Sequence, residues 1–150
     1  MKELGPLNWQ TVPALLALGL LEQSQVEDAA TMALVTGIQN GRMVQLAGGA
    51  PSWPDPIADF RAALQDQGVP IPAQEVAAVV LARVVAVRMV RGLVEPLRGA
   101  RAIALIAGHV ESEFHSLDPF KYIDSEVDDR PEDHAHFATE ALAAARDLLS

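Results

Sequence analysis

Apolar residues along this chain recur at spacings of three and four for most of its length, the period of an α-helix with one buried face. Starting from Trp9, the residues Val12, Leu15, Leu16 and Leu20 form the first such stripe, with Asn8 as its cap, Pro13 in its first turn and Gly19 at its end. A second stripe, Val26, Ala29, Ala30, Ala33 and Leu34, follows a predicted capping box of Ser24 and Glu27 and is expected to end at Asn40-Gly41. Asp55-Pro56 predicts a third start, with Ile57, Phe60, Ala63 and Leu64 facing inward and Gly68 closing the helix.

The longest expected helix runs from about Ala73 to Leu97 and is apolar on most faces, the pattern of a central helix touched from several sides. Pro96 and Gly99 mark a kink or break before a fifth helix, Ala100 to about His115. A sixth spans Glu132 to Leu149 behind Pro131, with Phe137, Ala141, Leu142, Ala145 and Leu149 inward. Met43 to Ala47 (MVQLA) reads equally as strand or helix, and GGAPSWPDP reads as a loop. Sustained two-residue alternation is missing. The expectation is a single all-α domain, one compact bundle of about six helices.

Composition narrows the chemistry. The 150 residues are 50% hydrophobic but 5% aromatic, so the core must be built mainly from Ala, Leu and Val, with Trp9 and Trp53 as anchors. Without cysteine there are no disulfides, zinc ribbons, thiol nucleophiles or iron–sulfur clusters. The apolar run VPALLALGLL lacks the flanks of a secretory signal. The other, VAAVVLARVVAVRMV, carries Arg83 and Arg88, each costing about 2.5 to 3.5 kcal/mol at a bilayer centre. A cytoplasmic protein that leaves membranes alone is expected.

Charge changes the picture most. Of the net −9, residues 1 to 106 contribute −1 and residues 107 to 150 contribute −8. Such an acidic end repels nucleic acid and steers in a basic partner. The stretch HVESEFHSLDPFKYIDSEVDDRPEDHAH, residues 109 to 136, holds all four histidines and nine of the twenty carboxylates.

Three readings of that stretch compete. As a metal centre, Glu111 with His115 and Glu132 with His136 are i,i+4 pairs on two helices and could converge on one divalent transition metal. Against this, the HExxH and ExxH spacings are missing, and residues two apart on a helix face apart. As a solvated connection, Glu132 and Asp133 fit a helix first turn, and His109 and His115 fit a last turn. As a binding surface, Asp118, Asp124, Glu126, Asp128, Asp129, Glu132 and Asp133 are the anchors for a basic protein. Arg83, Arg88, Arg91, Arg98 and Arg101 could neutralise this acidity internally, or hold a small anion, although no glycine-rich phosphate loop accompanies them. No GxSxG elbow or partnered serine supports nucleophilic catalysis, and no cofactor motif is present.

Two segments add a resemblance. LNWQTVPALLALGLL with SQVEDAATMAL resembles the opening of a family of small bacterial helical proteins of unknown function. LDPFKYIDSEVDDRPEDHAHF resembles that family's Asp-Pro…Asp-x-Pro-Glu segment, here Asp118-Pro119 and Asp129-Arg130-Pro131-Glu132. Together they cover about a third of the chain, and the middle, from Arg42 to Ala107, carries none of it. Relatives of this type occur in toxin–immunity loci, so the resemblance implies an immunity-like binding protein rather than a catalyst.

Overall fold

A computed structural model describes residues 1–49 and 54–150. Among them the regular structure is entirely helical, in eight α-helices and three short 3-10 turns. None of these helices is long and apolar enough to cross a membrane. Contacts group the chain into two units, Leu7–Ala73 and Met1–Pro6 with Gln74–Ser150. Trp53 and the middle of the GGAPSWPDP loop fall on residues 50–53, outside the described residues.

The Leu7–Ala73 unit holds α1 (Val12–Ala17), α2 (Val26–Val35), α3 (Gly41–Ala47) and α4 (Pro56–Asp66). Asn8 opens the turn before α1: its Oδ1 accepts from the Thr11 amide at 3.2 Å, and its carbonyl accepts from Thr11 Oγ1 at 3.0 Å. The capping box sits two residues earlier than Ser24–Glu27. Glu22 and Gln25 make it, the Glu22 amide donating to Gln25 Oε1 at 3.0 Å. Asn40 begins a helix instead of ending one. Its Oδ1 accepts from the Met43 amide at 2.8 Å, while its Nδ2 donates to the Ala63 carbonyl at 3.1 Å and ties α3 to α4. MVQLA is therefore helical, with Met43 and Leu46 buried. Asp55 caps α4 as its spacing predicts, accepting from the Ala58 amide at 3.0 Å.

The second unit holds α5 (Gln74–Val90), α6 (Pro96–Gly108), α7 (Asp118–Val127) and α8 (His134–Leu149). The expected helix from Ala73 to Leu97 is shorter, because Gly92 takes a left-handed φ of 75° and the chain turns. Pro96 then occupies the first turn of α6, where its missing N–H has no intrahelical partner, so α6 starts and ends earlier than Ala100 to His115. The charged stretch 118–127 is a helix of its own, burying Phe120 and Ile123.

Small residues set how closely these helices approach. The buried face of α5 is Ala77, Ala78, Leu81, Ala82, Val85, Ala86 and Met89; α6 contributes Gly99, Ala100, Ala102, Ile103, Ile106 and Ala107. A Cβ at Gly99 would stand 2.4 Å from Cγ and Sδ of Met89, which is itself buried. Gly99→Ala gains about 1 kcal/mol of helix propensity but overpacks the interface at a cost of about 1 to 3 kcal/mol. Urea unfolding followed by circular dichroism should show net destabilisation. In a Met89→Ala background the sign should reverse, Gly99→Ala then stabilising by about 1 kcal/mol.

Candidate functional site

The acidic stretch is built from the end of α6, the connection to α7, α7 itself and the turn into α8. Because α6 stops at Gly108 with His109 as its cap, Glu111 and His115 do not share a helical face. The connection instead runs back to the start of α5, where the Glu111 amide donates to Gln74 Oε1 at 3.0 Å. Ser112 Oγ donates to Glu75, which holds that carboxyl below its usual range.

His115 lies between two carboxylates. Its Nδ1 is 2.9 Å from Asp118 Oδ2 and its Nε2 is 3.0 Å from Glu113 Oε1. Only the protonated ring can donate from both nitrogens, and the hydrogen bonds to Glu113 and Asp118 raise its pKa above the ordinary histidine value. Asp118 also meets Lys121 Nζ at 3.8 Å.

The candidate metal ligands are not brought together. Among the described residues, no three His, Asp or Glu side chains are arranged to hold a metal ion. His136 pairs with Glu140, Nε2 to Oε1 at 3.1 Å. Glu132 lies in the 3-10 turn Pro131–Asp133 ahead of α8. Each expected i,i+4 pair required both members on one α-helix, but Glu111 and His115 lie beyond the end of α6, and Glu132 precedes the α8 that carries His136. Glu111, His115, Glu132 and His136 thus do not form a ligand cluster among the described residues.

The partner-binding candidates divide in two. Asp133 is held by Arg130, whose Nη2 and Nε stand 2.7 and 3.0 Å from its Oδ2, and the same guanidinium lies 5.2 Å from the Phe137 ring centroid. Asp133 and Asp118 therefore have internal partners at i,i+3 spacing. Asp124, Glu126, Asp128, Asp129 and Glu132 make no ion pair within 4.0 Å among the described residues, and Asp128, Asp129 and Glu132 are exposed. His134 Nε2 donates to the Val127 carbonyl at 3.1 Å and fixes the connection on which they stand.

Among the described residues, none of the five arginines from Arg83 to Arg101 pairs with a carboxylate of this segment. Arg98 meets Glu3 at 3.4 Å, while Arg83, Arg88, Arg91 and Arg101 form no ion pair among the described residues. Arg88 packs under Gly5, where a Cβ would come within 2.6 Å of its Nη1, and its Nε is buried without a partner among the described residues. A cavity of about 240 Å³ lined by Lys2, Arg88 and Arg98 also contains Glu3 and Glu95, which oppose an anion there.

Histidine NMR titration checks the His115 clamp. Its midpoint should lie above the ordinary value and fall in both Glu113→Gln and Asp118→Asn. Since the folded pKa is raised, the clamp's contribution to stability is present in full below the unfolded value, about 6.5. It disappears as pH rises through the folded pKa. Against known proteins, the chain matches no family model, no curated sequence and no solved structure.

Proposed function

We propose that this chain is a non-enzymatic bacterial protein of the cytoplasm that binds a basic protein, in the manner of an immunity protein neutralising a basic toxin. Its contact surface is the acidic run of α7 and the turn into α8. Asp124, Glu126, Asp128, Asp129 and Glu132 meet the partner, and Asp118 and Asp133 hold the local backbone through Lys121, His115 and Arg130.

The observation that supports this reading is the lack of neutralisation. The ion pairs of the stretch are local, joining residues two to four apart: Glu113–His115, His115–Asp118, Asp118–Lys121, Arg130–Asp133 and His136–Glu140. Exposed pairs of this kind are screened by water and stabilise little, too little to explain a balance of −8 in 44 residues by folding alone. An acidic surface of this sort speeds encounter with a basic protein, and it repels nucleic acid and anionic lipid.

The steering has a specific signature. At physiological ionic strength the screening length is about 8 Å, so immobilised protein should retain basic proteins from its source organism at about 50 mM salt and release them by about 300 mM. The variant Asp128→Asn, Asp129→Asn, Glu132→Gln should associate with the captured partner about tenfold more slowly, with dissociation changed by less than about twofold. Recovery of chaperones and abundant proteins alone, or an unchanged association rate, overturns the reading.

A further inference from the structure

The two helices that frame the acidic turn also enclose an open groove of about 610 Å³. Pro119, Phe120 and Ile123 of α7 and Ala143, Ala144 and Leu148 of α8 give it apolar walls. Its existence follows from the residues of α8. One face of that helix, Phe137, Ala141 and Ala145, is buried. The neighbouring face places Ala143 and Ala144 between Glu140 and Leu148, where larger side chains would fill the space. We propose that this groove seats an apolar stripe of a cationic amphipathic helix belonging to a partner protein. The inference rests on the basic-partner reading above and names the part of the partner that docks.

Charge identifies the occupant. Glu140 and Asp147 line the groove on α8, two helical turns and about 10 Å apart along the axis. Among the described residues, Asp147 forms no ion pair and Glu140 pairs with His136 alone. An apolar guest that also presents cations satisfies both the walls and the rim. A second copy of this chain would bring its own net charge of −9 against the same rim.

Shape identifies the occupant further. Ser116, Pro119, Tyr122 and Ala143 line the groove and are exposed, Tyr122 to 53%. A small molecule would lie open to water there, whereas sites for such ligands bury about 70 to 90% of the ligand. A helix laid along the groove buries its i, i+3, i+4, i+7 stripe and keeps its polar face in water.

Three synthetic peptides of about 14 residues, each about 21 Å long as a helix, test the proposal against the full chain. One is a Leu/Lys amphipathic helix, one replaces every Leu with Ser at the same charge, and one replaces every Lys with Glu. By fluorescence anisotropy the Leu/Lys peptide should bind at least about tenfold more tightly than Ser/Lys, and Leu/Glu should not bind. Such a factor corresponds to about 1.4 kcal/mol. Ala144→Tyr, which fills the groove, should remove that advantage and leave Ser/Lys binding unchanged. Amide shifts caused by Leu/Lys in the unmodified protein should centre on residues 116–123 and 140–148, a readout that stands even if the variant fails to fold. Equal binding of both cationic peptides, or shifts centred elsewhere, overturns the groove and leaves the acidic surface standing. Failure of both cationic peptides to bind overturns both readings. A dimer in sedimentation that Ala144→Tyr disrupts assigns the groove to a second copy and overturns the cationic helix.

Discussion

Close helix packing at small residues is the constraint on which the acidic unit depends. With so few aromatic residues, α5, α6 and α8 meet largely through alanine, and Gly99 lets Met89 lie directly on the α6 backbone. Bulk is supplied at a few points, by Phe120, Phe137, Leu81, Ile103 and Ile106. Alanine on a buried face brings helices together. On the outer face of α8 the same residue type leaves the recess beside α7.

Packing of this kind carries α7 and its turn, and the ion pairs of the stretch among the described residues are all local. The local ion pairs of the stretch brace the connection, and the buried Phe120 and Ile123 anchor the helix beneath them. Carboxylates on such a support remain available to an external cation. Of the arginines, which in composition look like their natural counterions, Arg98 meets Glu3 and Arg88 packs beneath Gly5.

How much of this was legible in the sequence varies by element. The all-helical class followed from the apolar spacing, and the start of α4 followed from Asp55-Pro56, because a side-chain cap and a proline act locally. Boundaries were harder. Asn40-Gly41 fits the end of one helix or the start of the next, and only the hydrogen bond to Ala63 across the unit decides it. Pro96 and Gly99 suggested an interruption, but Gly92 had already ended α5. The helix α7 was hidden by its charges, since its buried stripe is two residues long. The expected pairing of Glu111 with His115 depended on the boundary of α6, since the two share a face only if the helix continues past Gly108. The internal engagement of Asp118 and Asp133 was legible in principle, because Lys121 and Arg130 stand three residues away, but their rotamers were not.

The central claim is that most of the carboxylates of residues 107–150 are left without an ion-pair partner among the described residues. The most direct test is the unfolding midpoint as sodium chloride is raised from about 10 to 300 mM at neutral pH. Screening relieves repulsion among unpaired like charges and weakens attraction between paired ones. The account predicts a midpoint that rises with salt, and rises less in the variant Asp128→Asn, Asp129→Asn, Glu132→Gln. A midpoint that falls with salt would mean that the acidic segment is held by cations of its own chain, and would contradict the account.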